Sequence, residues 1–97
     1  MFNMSYHIFG YNWCHYYQSA CTYFERVNVP YVKHAFDERE KFSEAVSSVC
    51  TYGVIGTVGT TSPQIFKIIP NEIRCLGGYD QLKQVKSLKI WPKQLFF

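Results

Sequence analysis

The sequence predicts a single α/β domain in which four strands form a mixed sheet covered by three helices, in the order β-α-β-α-β-β-α. Two stretches with the three- and four-residue spacing of helices separate short strand-like stretches. The last two strand-like stretches are joined only by Pro70 and Asn71, which is typical of a tight turn. Strands that flank a helix pair in parallel through a right-handed crossover, whereas strands joined by a tight turn are antiparallel. With 97 residues, 47% of them hydrophobic, the chain can bury one core, so residues 1–97 form one domain.

The first half of the chain contains two strand–helix units. Residues 5–9 form the first predicted strand and residues 14–27 the first helix. Residues 31–36 form the second strand, and a capping-box-like pair, Asp37 and Glu40, precedes the second helix. The apolar faces of these helices, which predict the core, comprise Tyr17, Ala20, Cys21, Phe24 and Val27 in the first and Phe42, Ala45, Val46 and Val49 in the second.

The second half begins with a loop rich in glycine and threonine over residues 51–62. This loop lacks the G-x-x-x-x-G-K-[ST] pattern, so we exclude a phosphate-binding P-loop. Residues 64–69 and 72–76 form a hairpin, and Gly77 and Gly78 open a short third helix. The apolar side of that helix comprises Leu82, Val85 and Leu88.

The C-terminal quarter is basic and ends in an aromatic tail. Its lysines are Lys83, Lys86, Lys89 and Lys93. We interpret them as a solvated helix face in preference to a docking surface for an acidic partner. The domain core spans about residues 5–88, and the tail, residues 89–97, either packs back on the domain or forms a contact surface.

The composition argues against several classes of protein. A formal charge of +3 is typical of an ordinary soluble surface, and we expect no nucleic-acid partner. No apolar run approaches the roughly 20 residues of a membrane span, and the N-terminus does not resemble a signal peptide. We therefore expect a cytoplasmic monomer with no membrane association.

The four cysteines, at positions 14, 21, 50 and 75, contain no C-x-x-C pair. Without a secretory signal, their even number does not predict a disulfide framework. The histidines do not stand at ligand-like spacings from the cysteines, so we expect no metal site. We interpret Cys21, on the first helical face, and Cys50, at the end of the second helix, as packing residues.

Cys14 is the candidate reactive residue. It follows a predicted strand and a turn at Gly10, and it stands at the start of the first helix. Unpaired backbone N–H groups and the positive end of the helix dipole lie there, and both favour the thiolate over the thiol. Because the thiolate is the nucleophilic form, the position predicts thiol chemistry.

Three segments carry a family resemblance: residues 13–17 (Trp-Cys-His-Tyr-Tyr), residues 61–66 (Thr-Ser-Pro-Gln-Ile-Phe) and residues 77–82 (Gly-Gly-Tyr-Asp-Gln-Leu). In this order, and on these predicted elements, they resemble the glutaredoxins of the thioredoxin superfamily. The last segment is most similar to the small phage and viral members. The resemblance covers about residues 5–88 and implies the thioredoxin-like fold.

The resemblance also implies roles for single residues. Cys14 matches the nucleophile of the family's C-P-Y-C motif, and Tyr16 matches the tyrosine that lines the glutathione groove. Pro63 matches the family's cis-proline, which turns the backbone of the preceding residue, here Ser62, toward glutathione in a strand-like pairing. The remaining positions, which match the segment that receives the γ-glutamyl end, are Gly77, Gly78, Tyr79 and Asp80. The glycines permit close backbone approach.

Three departures from the family pattern surround Cys14, whose motif reads C-H-Y-Y. Tyr17 replaces the second motif cysteine, so a Cys-x-x-Cys disulfide cannot form, and its bulk either crowds the groove or re-aims Cys14. His15 replaces the proline and either places a positive charge beside the thiolate or is merely exposed. Tyr11 replaces the lysine often found three residues before the nucleophile.

The function favoured by this resemblance is a glutathione-dependent monothiol oxidoreductase that removes glutathione from proteins through Cys14. Glutathione would be the co-substrate, and glutathionylated or disulfide-containing proteins, by analogy including ribonucleotide reductase, would be the partners. The alternative is a redox-inactive module that keeps the fold and binds a protein. An iron–sulfur carrier using Cys14 and glutathione is disfavoured by the bulk of Tyr17.

Overall fold

The computed structural model describes residues 4–85. Within them the strands are β1 (Ser5–Tyr11), β2 (Val32–Phe36), β3 (Val54–Ile55), β4 (Gln64–Ile69) and β5 (Glu72–Gly77). The helices are α1 (His15–Arg26), α2 (Arg39–Cys50) and α3 (Tyr79–Gln84). The predictions for Leu88, for the lysines beyond Lys83 and for the tail lie outside the described residues.

The strands form one mixed sheet in the order β2-β1-β4-β5-β3. β1 pairs with β2 in parallel and with β4 antiparallel, and β4 and β5 form an antiparallel hairpin. This confirms the predicted mixed α/β architecture and its order of helices. None of the helices within residues 4–85 has the length and apolar character needed to cross a bilayer.

The described sheet has five strands, whereas the sequence predicted four. The additional strand, β3, lies in the segment interpreted as a loop and pairs in parallel with β5, with Val54 opposite Ile73 and Ile55 opposite Arg74. A strand of two residues is too short to show the alternation by which strands are recognised. Its pairing partner, rather than its own sequence, identifies it.

Each face of the sheet buries its own hydrophobic core, because successive residues of a strand point to opposite faces. On one face, α1 and α3 cover the α1-side core, which comprises Tyr6, Ile8, Tyr17, Ala20, Cys21, Phe24, Val29, Ile65 and Leu82. On the other face, α2 covers the α2-side core, which comprises Phe9, Tyr11, Phe42, Val46 and Phe66. Cys14 packs against both cores.

The predicted face of α1 is confirmed except at its end. Its first four predicted core residues are buried, and Phe24 is completely inaccessible. Val27 is 40% exposed because it is the C-cap, after which Asn28 adopts a positive φ of 63°. The chain then turns back, and the Val29 N–H donates to the Phe24 carbonyl oxygen at 3.0 Å.

Two predictions for α2 are wrong. Its N-cap is Glu38, without a side-chain cap, so the expected capping box of Asp37 and Glu40 does not form. The Asp37 carboxylate instead accepts a hydrogen bond from the Asn12 side-chain amide at 2.5 Å, which ties α2 to the turn after β1. Cys50 is exposed rather than packed, because it lies at the last residue of the helix, off the buried face.

Candidate active site

Cys14 lies at the junction of β1 and α1, as the sequence predicted. The backbone after β1 forms a tight turn in which the Cys14 N–H donates to the Tyr11 carbonyl oxygen at 3.0 Å. Cys14 is the N-cap of α1, and its own carbonyl oxygen accepts from the Gln18 N–H at 3.1 Å. The thiol is partly exposed and donates to the Ser62 carbonyl oxygen, 3.6 Å from Sγ. The structure thus brings the candidate nucleophile to the segment that precedes Pro63.

The Ser62–Pro63 segment is held from several sides. The Ser62–Pro63 peptide bond is cis, as the resemblance implied, and the Pro63 side chain is fully buried. The Ser62 hydroxyl accepts a hydrogen bond from the Tyr11 N–H at 3.1 Å. This bond joins the segment to the end of β1, directly beside the turn that carries Cys14.

Gln64 anchors the same segment through hydrogen bonds to its backbone, a role that was not predicted from the sequence. Among residues 4–85, the buried side chains are apolar except that of Gln64, which is polar and 3% exposed. Its amide nitrogen donates to the Thr61 carbonyl oxygen at 2.8 Å, and its amide oxygen accepts from the Gly59 N–H at 3.1 Å. The only available signal was a glutamine heading the otherwise apolar run of β4.

The paired glycines bring the start of α3 against this segment. A Cβ on Gly78 would lie 3.4 Å from the Pro63 carbonyl oxygen. Gly77 has a φ of 98°, and a Cβ there would lie 2.9 Å from the Gln81 side chain. Gln81 in turn accepts a hydrogen bond from the Gly78 N–H at 2.9 Å.

A polar groove of about 390 Å³ opens between the cis-proline segment and β5. Its lining comprises Thr57, Gly59, Thr61, Gln64, Cys75, Leu76, Gly77, Gly78 and Gln81. The predicted residues Tyr16 and Tyr79 lie together at the surface, with ring centroids 6.3 Å apart. Asp80 is exposed on the first turn of α3, 3.8 Å from the Lys83 ammonium. The structure therefore places Tyr16 beside Tyr79, and Gly78 beside the cis-proline segment that the Cys14 thiol contacts.

Tyr17 does not lie in the groove. Its side chain is 5% exposed and packs in the α1-side core. Burial, followed by the neighbouring Cys21, raises the pKa of Tyr17, so its hydroxyl stays protonated. The ring occupies the space above Gly10, where a Cβ would come within 2.3 Å of the Tyr17 ring. Gly10, which the sequence analysis treated only as a turn, makes room for the residue that replaces the second motif cysteine.

The residue before Cys14 has an exposed aromatic side chain. Trp13 is 67% exposed, and its ring stacks on Tyr11 with centroids 4.7 Å apart. The Trp13 indole N–H donates to the Asp37 carbonyl oxygen at 3.4 Å. Tyr11, one of the three departures from the family pattern, is buried beneath the Trp13 ring and supports it by stacking. His15, the other departure from the family pattern, is exposed at the first position of α1.

The other three cysteines occupy different environments. Cys21 is buried, and burial raises the pKa of its thiol. Cys75 is half-buried, and burial raises the pKa of its thiol too. Cys50 is exposed. Across residues 4–85, no group of three or more His, Cys, Asp and Glu side chains is arranged to hold a metal ion.

The chain is similar in structure to glutaredoxin 1 from Francisella tularensis, whose crystal structure is a complex with cacodylate. The TM-score is 0.67 at 27% sequence identity, over 84% of this chain and 91% of that one. Scans of the sequence against protein-family models and against curated proteins find no match. The fold is therefore thioredoxin-like, and the similarity supports a function of the thiol–disulfide oxidoreductase type.

Proposed function

We propose that this chain is a glutathione-dependent monothiol oxidoreductase of the glutaredoxin type. The observation that carries the proposal is the placement of the Cys14 thiol, partly exposed and 3.6 Å from the Ser62 carbonyl oxygen. A nucleophile thus contacts the backbone of the cis-proline segment, in which Thr61 and Gln64 line the groove. A disulfide-linked peptide needs both of these, one for reaction and one for binding.

The proposed reaction has two exchange steps. The Cys14 thiolate attacks the glutathione sulfur of a protein–glutathione mixed disulfide, and the protein sulfur leaves as a thiolate and takes up a proton. A second glutathione thiolate then attacks the glutathione sulfur held on Cys14. That step releases the Cys14 thiolate and glutathione disulfide, so one disulfide is consumed and one is formed.

The backbone at Ser62 would align the glutathione. In the reduced protein its carbonyl oxygen accepts from the Cys14 thiol. Once Cys14 is in a mixed disulfide it has no S–H to donate, and the same oxygen becomes available to an N–H of the bound tripeptide. The backbone of Gly78, Tyr79 and Asp80 would hold the γ-glutamyl end, as the family resemblance implies.

The environment of the neighbouring positions supports a single-thiol cycle. Tyr17 fills the place of the second motif cysteine and lies in the α1-side core. Cys21, the next cysteine along α1, is also buried in that core. With no thiol at position 17 and the Cys21 thiol buried, the proposed second exchange step uses another glutathione molecule.

The protein part of the client would contact exposed aromatic side chains close to Cys14 in the sequence. Trp13 and Tyr16 are 67% and 58% exposed and flank Cys14 in sequence. Aromatic side chains supply large contact areas at protein interfaces. The same exposed aromatic residues support the second candidate, a redox-inactive binding module, because they could bind a protein without any reaction at the Cys14 thiol.

Peptide mapping after exposure to oxidised glutathione tests the proposal. Trypsin places Cys14 and Cys21 together in the peptide 1–26, so Cys14→Ser and Cys21→Ala variants assign the adduct. We expect one stable glutathione on this peptide, lost in Cys14→Ser, kept in Cys21→Ala and removed by reduced glutathione. The binding-module alternative predicts a folded protein without this adduct, whose protein partner is retained by Cys14→Ser.

A further inference from the structure

Two histidines on neighbouring strands face each other on the α2 side of the sheet. His7 is on β1 and His34 is on β2, and the two strands pair in parallel with Phe9 opposite His34. Residues two apart on a strand, and residues opposite each other on paired strands, point to the same face of a sheet. Tyr11, the last residue of β1, lies four residues beyond His7, about 13 Å along an extended strand, so the pair is apart from Cys14.

The two histidine rings meet through their nitrogen atoms. Nδ1 of His7 and Nε2 of His34 are 2.8 Å apart, whereas the ring centroids are 5.1 Å apart. A hydrogen bond between two ring nitrogens needs a lone pair on one of them, so at least one ring is a neutral imidazole. The neutral imidazole nitrogen is also the form that binds transition-metal ions.

Other contacts hold both rings in position. The second nitrogen of the His7 ring, Nε2, is 2.9 Å from the Ser5 hydroxyl. The His34 ring stacks on Phe9, with centroids 4.1 Å apart and an angle of 9° between the planes. A histidine that binds a metal ion usually donates its second ring N–H to an acceptor, which fixes its tautomer and orientation. The Ser5 hydroxyl is placed to accept such a bond from His7.

The pair lies at the edge of the described sheet, where water has access. β2 is the outermost strand on that side, and Val32, the residue opposite His7, is 43% exposed. Within residues 4–85, no third His, Cys, Asp or Glu side chain joins the two histidines to form a larger ligand cluster. Zinc sites without a full set of protein ligands keep water in the open positions, so water would complete the coordination of an ion at this pair.

We propose that His7 and His34 form a binding site for a divalent transition-metal ion such as Zn²⁺, which is held by Nδ1 of His7 and Nε2 of His34. Two Zn–N bonds of about 2.0–2.1 Å at a tetrahedral angle place their nitrogens about 3.3 Å apart. The nitrogens therefore need to separate by only about half an ångström from their hydrogen-bonded distance of 2.8 Å. The ion takes the place of the shared proton. His7 then keeps a proton on Nε2, which donates to Ser5, and His34 keeps one on Nδ1, so neither neutral ring changes its charge.

The test uses the full-length chain with Cys14→Ser and Cys50→Ser, because these exposed or partly exposed thiols would bind Zn²⁺ themselves. Zn²⁺ is added while heteronuclear NMR of the histidine rings reports the tautomer and the metal-bound nitrogen of each ring. We expect saturable shifts of the His7 and His34 rings, with protons on Nε2 of His7 and Nδ1 of His34. The ring of His15, exposed on α1, is the internal control and should not shift.

Single replacements in the same background locate the ion. We expect isothermal titration calorimetry to show Zn²⁺ binding weakened more than tenfold by His7→Phe and by His34→Phe, the second of which keeps a ring over Phe9. His15→Phe is the matched control and should leave the Zn²⁺ affinity unchanged. Mg²⁺, which prefers oxygen ligands, should not bind. Circular dichroism verifies that each variant is folded.

Two results overturn the proposal. In one, the His7 and His34 rings of the folded protein stay unshifted in excess Zn²⁺. In the other, Zn²⁺ binds with unchanged affinity after either histidine is replaced, which would place the ion elsewhere. Because Cys14 is absent from every protein in this test, a failure of the proposed function would not alter its outcome.

Discussion

Contacts between individual residues position the reactive thiol. The Tyr17 ring and the Ser62 hydroxyl both lie over Gly10, and the hydroxyl accepts from the Tyr11 N–H. Any side chain at position 10 would displace one or both of them. Because Gly10 has no side chain, α1 and the cis-proline segment can both lie close to β1.

We predict that Gly10→Ala lowers the free energy of unfolding by about 1–3 kcal/mol, the usual cost of overpacking. The added Cβ would come within 2.3 Å of the Tyr17 ring and 2.7 Å of the Ser62 hydroxyl. Urea denaturation measures the loss. Gly78→Ala is the control, because its Cβ meets nothing closer than 3.4 Å. Equal effects in the two variants would contradict this account of Gly10.

A pair of histidines makes stability depend on pH. His7 Nδ1 and His34 Nε2 are hydrogen-bonded at 2.8 Å, and the His34 ring stacks on Phe9. Burial lowers the pKa of both imidazoles, and for His7 the charge of His34 lowers it further. The unfolded chain, with a histidine pKa of about 6.5, then binds more protons than the folded protein in mildly acidic solution.

We therefore predict that these histidines leave the free energy of unfolding unchanged above about pH 7. It falls as the pH drops below about 6.5, the unfolded-state pKa, toward the lower folded-state pKa values. Urea denaturation at several pH values measures the slope. The double variant His7→Phe/His34→Phe keeps rings over Phe9 and removes both titrations, so its slope should be shallower. An unchanged slope would show that other groups cause the dependence.

At the scale of elements, the segment before β4 owes its shape to one buried amide. Gln64 bonds the backbone on both sides of the turn, at Gly59 and Thr61. Without this amide, the Gly59 N–H and the Thr61 carbonyl oxygen, both on exposed residues, would lose these hydrogen bonds. Each hydrogen bond of this kind contributes about 0.5–1.5 kcal/mol to stability, so the two together contribute about 1–3 kcal/mol.

We predict that Gln64→Leu, which keeps the side-chain size, destabilises the fold by about 1–3 kcal/mol. It should also slow glutathionylation of Cys14 by glutathione disulfide about tenfold, since about 1.4 kcal/mol of lost alignment is a factor of ten. Intact mass against time measures the rate. Gln84→Leu, an exposed glutamine on α3, is the matched control. A normal rate in Gln64→Leu would remove this segment from the proposed binding site.

Elements with a repeating pattern could be predicted from the sequence, and those fixed by a partner could not. The buried face of α1 followed from its spacing, whereas β3 is identified only through its pairing with β5. Asp37 was assigned to a cap because its sequence context fits one, yet Asn12, distant in sequence, binds it. The position of Cys14 was predictable because a strand–turn–helix junction is local. The roles of Gly10 and Gln64 depend on residues that only the folded chain brings near.

At the scale of the whole molecule, Cys14 lies where the two cores meet at the end of β1. It packs against the α1-side core and the α2-side core. Both cores share the same sheet, through residues that alternate along β1. The environment of the thiol therefore depends on both faces of the protein.

We predict that Phe24→Ala and Phe42→Ala, one in each core, each lower the free energy of unfolding by about 3–5 kcal/mol. Both side chains are almost fully buried, at 0% and 2% exposure. Because one sheet serves both cores, secondary structure and the protection of the buried Cys21 thiol from alkylation should be lost at the same urea concentration in each variant. Separate transitions would show that the two cores unfold independently.

The packing of Tyr17 on Gly10 also limits the order in which this sequence can change. Replacing Tyr17 by cysteine, to create a two-cysteine motif, would remove the ring that packs over Gly10 and leave unfilled space beside the Ser62 hydroxyl. Adding a methyl group at position 10 first would clash with the ring that is still present. A path from one thiol to two must therefore pass through a loosely packed intermediate, with position 17 altered before position 10. The first substitution on that path, at position 17, lowers stability, and this disfavours a change from one active-site cysteine to two.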